Sequence, residues 1–389
     1  MQGFEGFIYP NELELQWGVL IVLYPFITGL VAGAFILASL ERVFNVEAVK
    51  PTYRLALLTA LAFLVVAPLP LQLHLGHPQR SLEMYLTPHT TSAMAMFGFV
   101  YLWYLMAVLV LEIWFDYRSD IVLAWQRSTG LKRIVYALMA LGSRNLSEAA
   151  LRIDDRIGRF LTVIGVPSAF LLHGYVGFIF GSVKANPWWS TPMMPIVFLF
   201  SAIVSGIALV TLLYFVISWY RKKQVDQECA DTMARYLLYA FLIDFSLEML
   251  DLIQRIYEAD ESFKTLDFMV QTRLYMPHII VQLLIGTIVP IALLGIVQLF
   301  RIRPAVRRLI YVVSCGLTLI GIFAMRWNVV IGGQLFSKSF LGYTTYKLEF
   351  ATREGLLIAI VLLVLPFLIL AGLAYLLPPW QEEQEPVQG

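Results

Sequence analysis

Long apolar segments, separated by short polar ones, run through almost the whole chain. A helix needs about 20 predominantly apolar residues to cross the hydrocarbon core of a bilayer. Nine segments reach that length, and they are Gly18–Leu40, Tyr53–Leu73, Ser92–Phe115, Phe160–Phe180, Pro195–Trp219, Tyr236–Ile256, Met276–Phe300, Leu309–Val329 and Gly355–Leu377. The sixth is the least hydrophobic of them. The pattern therefore predicts an all-α, polytopic bundle of about nine transmembrane helices.

The composition supports a membrane protein without a soluble domain. Of the 389 residues, 59% are hydrophobic and only 14% are charged, whereas soluble domains carry about 25% charged residues. We therefore predict one integral membrane domain over residues 1–389, in the cytoplasmic membrane of a prokaryote. A net charge of +1 gives no reason to expect nucleic acid as a partner. Because Met1–Gln16 is acidic rather than basic, we expect no cleavable signal.

The charged residues of the loops predict the orientation. Most of the 28 Lys and Arg residues lie in alternate connections between the predicted spans. Because cytoplasmic loops are enriched in Lys and Arg, the N-terminus is predicted outside and the C-terminus inside. The inner connection 116–159 contains a short apolar stretch, Ile134–Leu141, predicted to lie as an amphipathic segment on anionic lipid, and residues 378–389 are predicted to form a short acidic cytoplasmic tail.

The sixth predicted span carries most of the charged residues expected at bilayer depth. Asp244, Glu248, Asp251 and Arg255 follow one another at spacings of four, three and four residues, which places them on one helical face. Charged groups in the bilayer are costly and usually functional, so we predict proton transfer along this face, with Asp251 and Arg255 able to pair. The alternative is a polar seam that only joins helices.

Further polar side chains concentrate in the outer half of the predicted bundle. A quinone head group needs hydrogen-bond partners for its two carbonyls and a titratable group near them. Five residues with suitable side chains are predicted to bind the quinone, and they are His173, His74, Tyr24, Tyr175 and Arg326. No span has the two-histidine spacing of stacked haems, and Cys229 and Cys315 lie too far apart for a cluster. We therefore predict a bound menaquinone or ubiquinone, and no haem, iron–sulfur cluster or other metal.

Four segments resemble the NrfD/PsrC family of integral membrane subunits, polysulfide-reductase-like proteins. They are the first span with Trp17-Gly18 and Gly29–Gly33, the stretch Leu73–Ser92 (LHLGHPQRSLEMYLTPHTTS), the stretch Leu171–Gly206, and Met325–Ser339 (MRWNVVIGGQLFSKS). The G-x-x-x-G spacing of Gly29 and Gly33 by itself predicts close helix packing. The last looks most like DsrP, within the longer, hydrogenase-2-type branch. The chain departs from the family pattern in the first loop, where His74 and His77 stand in place of Asp and Arg.

The resemblance implies a specific role. Such subunits lack redox cofactors of their own, bind quinol near the outer face and exchange electrons with an iron–sulfur subunit docked there. The resemblance also adds Arg80 as a secondary candidate for a functional residue near the outer face. The outer loops 76–91, 182–194 and 328–353, rich in aromatic, Gly and Pro residues, are then a docking surface; the alternative is that they are simple connectors.

The leading hypothesis is a quinone-reactive membrane subunit of a respiratory oxidoreductase complex, not catalytic alone, in dissimilatory sulfur metabolism if the DsrP likeness holds. The competing hypothesis is a secondary transporter or a redox-driven proton-translocating subunit that uses the carboxylates of the sixth span. Asp244 near mid-depth and the breaking residues Pro167, Pro195 and Pro290 suit a transporter. The outward concentration of polar residues argues against it.

Overall fold

The structure, a computed structural model, describes residues 5–87, 89, 91–258 and 262–380. Its helices are α1 (Val19–Arg42), α2 (Lys50–Val66), α3 (Leu69–His74), α4 (Glu83–Leu86), α5 (Ala93–Leu102), α6 (Val110–Arg127), α7 (Gly130–Met139), α8 (Glu148–Gly181), α9 (Met194–Tyr220), α10 (Gln227–Glu258), α11 (Phe263–Thr272), α12 (Val289–Leu299), α13 (Pro304–Val330) and α14 (Leu356–Leu376). Two π-helical segments, Trp103–Leu109 and Tyr275–Ile288, join α5 to α6 and lead into α12. Strands β1 (Glu5–Gly6) and β2 (Gly342–Tyr343) pair antiparallel.

Eight of the nine predicted spans are helices long and apolar enough to cross a membrane, counted over the described residues. The predicted sixth span lies within α10, which is continuous over 32 residues but is not among those eight. Its charged face, which includes Asp244 and Glu248, lowers the mean hydropathy of the helix. The predicted all-α membrane bundle is confirmed, and α10 is its polar member.

Helix α1 is the centre of the bundle. It packs against α2, α8, α9 and α13, and 94% of the residues in its most apolar stretch are buried inside the bundle. Gly33 makes this packing possible, because a Cβ there would overlap the Ala202 carbonyl and Gly206 of α9. Gly29, one turn earlier, lies against the ring of His173. The two glycines of the predicted packing motif therefore bring α1 close to both α8 and α9.

The N-terminal segment and two predicted outer loops bind one another at one end of the bundle. Gln334 exchanges two hydrogen bonds with the backbone of Trp17, and Asn186 donates to the carbonyl of Gly333 at 2.6 Å. Trp17 also stacks on Trp189, with ring centroids 5.2 Å apart. We call this assembly, residues 5–17, 182–193 and 331–346, the outer cap, after the orientation predicted from the loop charges.

One residue of the outer cap anchors the central helix. The backbone N–H of Val19, in the first turn of α1, donates to the hydroxyl oxygen of Tyr346 at 3.0 Å. This satisfies one of the N–H groups that every helix leaves without an internal partner. Burial raises the pKa of the Tyr346 hydroxyl, so that the group stays neutral while it accepts this bond.

The predicted inner connection 116–159 is mostly helical, because α6 continues to Arg127 and α8 begins at Glu148. Between them, the predicted amphipathic stretch lies largely in α7. One face of α7 contacts the bundle, where the Tyr136 hydroxyl donates to the Leu376 carbonyl. Leu131 and Leu138 on the other face are exposed. Its attachment to lipid remains a prediction. Most of the predicted acidic tail, 381–389, lies outside the described residues.

Candidate functional site

A fully buried arginine and histidine meet beneath the outer cap. Arg326 of α13 and His173 of α8 are both 0% exposed, and Nη2 of Arg326 donates to His173 Nε2 at 3.1 Å. The same nitrogen of Arg326 donates to the Ser201 hydroxyl of α9 at 2.6 Å. Two of the predicted quinone-binding residues are therefore in direct contact, deep inside the bundle rather than on its surface.

The hydrogen bonds around His173 define its tautomer. Because Nε2 accepts from Arg326, the ring proton lies on Nδ1, which donates to the Thr28 hydroxyl oxygen at 3.3 Å. The Thr28 hydroxyl in turn donates to the carbonyl of Tyr24, one turn earlier in α1. Both ring nitrogens of His173 are therefore hydrogen-bonded to protein groups.

The charge of Arg326 is balanced at a distance. Its guanidinium lies 4.0 Å from the centroid of the Phe198 ring, a cation–π contact. The two carboxyl groups that act electrostatically on it are Asp244 and Glu248 of α10. One carboxyl oxygen of Asp244 is buried without a hydrogen-bond partner among the described residues, as is Nε of Arg326. Unsatisfied buried polar atoms are costly, so both atoms need a reason to be here.

Glu248 leads into a second network, built on Gln282. The Gln282 side chain donates to Glu248 at 3.4 Å, while its carbonyl oxygen accepts from His278 Nδ1 at 3.0 Å and from Asn328 at 2.7 Å. His278, near the outer start of the seventh predicted span, therefore belongs with the carboxylates of α10. Polar side chains run continuously from Glu248 towards the outer cap.

Asp251 and Arg255 form the predicted ion pair, with Arg255 Nε 2.9 Å from Asp251 Oδ2. The Thr191 hydroxyl also donates to Asp251, and Arg255 donates to the carbonyls of Pro187 and Trp188 in the outer cap. A cavity of about 290 Å³ lies beside the pair, lined also by Lys184 and Phe263. The outer end of the polar face of α10 is thus tied to a loop and reaches a cavity.

The two tyrosines predicted to bind quinone, Tyr24 and Tyr175, pack against α5. The Tyr24 hydroxyl is buried without a partner among the described residues, and the Tyr24 ring meets Phe97 of α5 edge to face at 5.4 Å. Tyr175 of α8 lies near-parallel to Phe97 at 6.5 Å, and its hydroxyl donates to the Ala93 carbonyl. Neighbouring α5 side chains, Met96 and Phe99, are exposed, so this aromatic group lies just inside the lipid-facing surface.

The remaining predicted residues lie apart from these groups. His74, at the end of α3, has Nδ1 2.9 Å from an oxygen of Glu354, which lies just before α14, and both side chains are partly exposed. Arg80 is 67% exposed and lies 4.0 Å from Glu83. The structure therefore brings together His173, Arg326 and the α10 carboxylates, and it leaves His74 at the rim.

Several polar partners were missed in the sequence because they are uncharged. Thr28, Ser201, Gln282 and Asn328 lie within apolar segments and complete the networks around the predicted residues. Glu112 was missed although it is charged, since it falls near the inner end of the third predicted span. Counting every charged residue inside a span would have found it.

The comparisons with known proteins agree with the resemblance described above. The family described as polysulphide reductase, NrfD, matches residues 10–338. The chain belongs to the NrfD family. Members of this family are integral membrane proteins, and the long apolar helices of this chain agree with that. The DsrP likeness and the particular branch are not decided by this match and stay predictions.

Three relatives illustrate the range of the family. A selenate reductase subunit of Mesobacillus selenatarsenatis is 34% identical over 51% of this chain and 48% of its own length. Protein NrfD of Escherichia coli is 25% identical over 83% of this chain and 96% of its own. The Hdr-like menaquinol oxidoreductase integral membrane subunit of Archaeoglobus fulgidus is 22% identical over 95% of this chain and 86% of its own. The chain matches about half the length of the first, and 42% of a putative dimethyl sulfoxide reductase membrane subunit of Halobacterium salinarum.

Proposed function

We propose that this chain is the quinone-reactive membrane subunit of a multisubunit oxidoreductase, and that it exchanges electrons with an iron–sulfur subunit docked on the outer cap. Membership of the NrfD family supports the membrane-subunit part of the proposal. The names of the relatives, two of them reductase subunits and one a menaquinol oxidoreductase subunit, support the reductase complex and quinol as substrate. Sulfur compounds as the complex's substrates follow from the DsrP likeness alone.

The observation that carries the quinone assignment is the unpartnered Tyr24 hydroxyl, buried with no acceptor among the described residues. A buried O–H without an acceptor is costly, and the carbonyl oxygen of a quinone is the acceptor that it lacks. The aromatic rings of Phe97 and Tyr175 would flank the flat head group, and the exposed surface of α5 would admit it from the bilayer. Tyr175 is a further candidate in the same aromatic group, and His74 is a candidate at the rim, beside Glu354.

His173 and Arg326 would act behind this position rather than on the quinone itself. Because both nitrogens of His173 are occupied and Arg326 can only donate, the pair would fix the hydrogen-bond pattern of the interior and place a positive charge facing the carboxyl groups of α10. Asp244, Glu248 and Asp251, with Arg255 paired to Asp251, would form the proton route from this interior to the cavity under the outer cap. Quinol oxidation releases protons as well as electrons, so a polar route leading out of the pocket suits that chemistry.

The outer cap has the properties of a docking surface for the iron–sulfur subunit. Side-chain hydrogen bonds hold its segments together, which simple connectors would not need. Phe7, Leu341 and Phe350, in or close to the cap, leave large hydrophobic side chains more than half exposed. A single Leu341→Glu replacement should release the partner during purification, while Leu131→Glu on the inner helix α7 should not.

The quinone pocket is tested by Tyr24→Phe in the complex purified from its native membrane. Losing one neutral hydrogen bond should lower kcat/KM for quinol roughly 2- to 10-fold. Tyr101→Phe is the matched control, because the Tyr101 hydroxyl in the same aromatic group already donates to the Leu64 carbonyl. A photoreactive quinone should label peptides of α1 and α5, and unlabelled menaquinone should compete. Labelling elsewhere, or a Tyr24→Phe variant with unchanged kinetics, would overturn the assignment.

The predicted absence of haem and iron–sulfur clusters is part of the proposal. Groups of three or more His, Cys, Asp or Glu side chains that could hold a single metal ion are not found among the described residues, and the absence of haem stays a prediction. The purified chain, separated from its partners, should bind quinone and show no absorbance in the visible region. A Soret band in that preparation would contradict the proposal.

A further inference from the structure

A second buried carboxyl group lies at the inner end of the bundle, away from the proposed quinone pocket. Glu112 of α6 is 0% exposed. One of its oxygens accepts a hydrogen bond of 2.6 Å from the Thr162 hydroxyl of α8, and the other is buried without a partner among the described residues. A charge in such a position needs a reason, because burial of an unpaired carboxylate is strongly unfavourable.

Two further carboxyl groups lead from Glu112 to the surface along the same face of α6. Asp116 and Asp120 follow at intervals of four residues, so the three side chains lie one above another. Their exposure rises steadily from 0% at Glu112 to 12% at Asp116 and 45% at Asp120. Arg54 joins the outer two, with N–O distances of 2.8 Å to Asp116 and 2.6 Å to Asp120. The series runs from the interior to the inner surface.

The helices packed around α6 supply the other titratable groups that face this series. Arg42 of α1 donates to Asp116 at 2.9 Å and to the Tyr53 hydroxyl of α2 at 2.6 Å. The second guanidinium nitrogen of Arg42 reaches Asp155 of α8 at 3.2 Å. Arg42 and Arg54 therefore form ion pairs with Asp116, Asp120 and Asp155. Glu112 lies beyond them, in direct hydrogen-bond contact with neither arginine.

Deeper in the bundle than Glu112 lies a second buried polar atom without a hydrogen-bond partner among the described residues. The Tyr104 hydroxyl, eight residues earlier in the chain, is buried without a partner among the described residues. Tyr104 lies in the π-helical segment Trp103–Leu109, a kind of irregularity often found at functional sites. Its ring packs against Phe35 of α1, and the residues of α1 from Phe35 back to Gly29 are apolar. Tyr104 therefore marks the deep end of the polar series.

We propose that Glu112 is a proton-uptake group reached from the inner face through Asp120 and Asp116. Water at the inner face protonates the Glu112 carboxylate, and the neutral acid then gives up the same proton to a deeper acceptor past Tyr104, which restores the carboxylate. The deeper acceptor is the quinone when it is reduced with two electrons and two protons, and this last step alone rests on the proposed function. Proton uptake at Glu112 does not depend on the proposed function.

The first test needs neither quinone nor partner subunits. Dicyclohexylcarbodiimide reacts with protonated carboxyl groups in apolar surroundings, and its adducts are located by mass spectrometry of the purified chain. Glu112 should be labelled, and acid pH should accelerate the reaction. Glu112→Gln should abolish this label, whereas Glu148→Gln, at an exposed carboxyl of α8, should leave it unchanged. Failure of Glu112 to react in the folded chain would overturn the proposal.

The second test measures proton movement in the native complex reconstituted into vesicles. With a pH-sensitive dye on the inner-face side, Glu112→Gln should slow proton uptake at least 10-fold, and Glu112→Asp should restore part of it. Asp120→Asn should slow uptake by no more than about 3-fold, since Asp120 is half-exposed and water can bypass it. Normal uptake in Glu112→Gln would overturn the proposal. If the chain is labelled at Glu112 but no quinone turnover is found in any variant, the quinone assignment fails and the uptake group stands.

Discussion

Arg326 holds His173 in a single neutral tautomer by donating to its Nε2 atom at 3.1 Å, while neither side chain is exposed. The arrangement joins α13 to α8 across residues 153 positions apart in the chain. A guanidinium has no acceptor, so it can only donate to this nitrogen, and the proton of His173 must then face Thr28. The hydrogen bonds of this interior therefore run one way. Arg326 donates to His173, His173 donates to Thr28, and Thr28 donates to the Tyr24 carbonyl.

Replacing Arg326 by Gln should disrupt this interior more than any exposed change. The variant loses the charged donor to both His173 and Ser201 and removes the positive charge that faces Asp244 and Glu248. Hydrogen bonds to charged groups contribute about 1.5–3 kcal/mol, so quinol turnover should fall roughly 10- to 100-fold. Arg326→Lys should restore little, because a single ammonium lacks the planar fork. Steady-state kinetics of the purified complex measure this.

Arg303→Gln, at the inner-end loop just before α13, is the control for that experiment. It removes the same side chain far from His173 and should leave turnover within about 2-fold, as expected for a surface substitution. If Arg326→Gln behaved like Arg303→Gln, the buried arginine would serve packing alone, and neither the tautomer of His173 nor the positive charge facing α10 would matter for turnover.

Thr28→Val should show that the hydroxyl next to His173 matters apart from its volume. The replacement keeps the shape but removes the acceptor for His173 Nδ1–H, which leaves a buried donor unsatisfied at a cost of about 1–3 kcal/mol. Thr59→Val in α2 is matched, because its hydroxyl is also buried and bonds only to the carbonyl of Leu55 in its own helix. Turnover should fall about 5-fold or more in the first variant and stay unchanged in the second. Equal effects would mean that only helix packing was disturbed.

Asp244→Asn separates proton transfer from electron transfer. The change removes the carboxyl group that would exchange protons near Arg326, while it keeps the volume of the side chain. Proton release at the outer face, followed with a dye during single turnovers, should slow at least 10-fold and become rate-limiting. Asp267→Asn, on an exposed carboxyl of α11 that accepts from Gln271, should change neither rate. Were electron transfer to fall while proton release per electron stayed constant, α10 would not be the proton route.

The sequence predicted what depends on neighbours along one helix. The spacing of Asp244, Glu248, Asp251 and Arg255 placed them on one face, and the Asp251–Arg255 pair is present at 2.9 Å. Helix periodicity is local, so it can be read without a structure. The same holds for Gly29 and Gly33, whose spacing predicted the close packing that α1 shows.

What depends on contacts between helices was not predictable. Nothing in the sequence pairs His173 with Arg326, or His74 with Glu354 at the far end of the chain. Uncharged partners such as Gln282 look like ordinary members of apolar spans until the helices are packed. Helix ends also escaped prediction, because hydropathy reports the bilayer boundary while α6 and α8 continue beyond it.

Arg255 should prove more important for the outer cap than for the chemistry. Besides its pair with Asp251, it donates to the carbonyls of Pro187 and Trp188 and so holds the loop that covers the interior. We expect Arg255→Gln to lower stability by about 1–2 kcal/mol, because several hydrogen bonds between partly buried groups are lost. The loop 182–193 should then be cut faster by protease. Arg152→Gln, at an exposed ion pair 3.9 Å apart on α8, is the control and should cost less than about 1 kcal/mol. Similar losses of stability in the two variants would show that Arg255 does not anchor the outer cap.

The close approach of α1 and α9 gives the sharpest prediction for stability, because it depends on a missing side chain. Gly33 lies against the backbone of Ala202 and Gly206, and even a single methyl group there would overlap the Ala202 carbonyl. Gly33→Ala should therefore push the two helices apart and cost about 1–3 kcal/mol, as overpacking does elsewhere. The same displacement would stretch the His173–Thr28 hydrogen bond, so thermal unfolding in detergent and quinol turnover should fall together. Gly174→Ala is the matched control: its added methyl meets open space, and a small gain in helix propensity is its expected effect. A Gly33→Ala protein as stable as Gly174→Ala would show that α1 is not held by this contact.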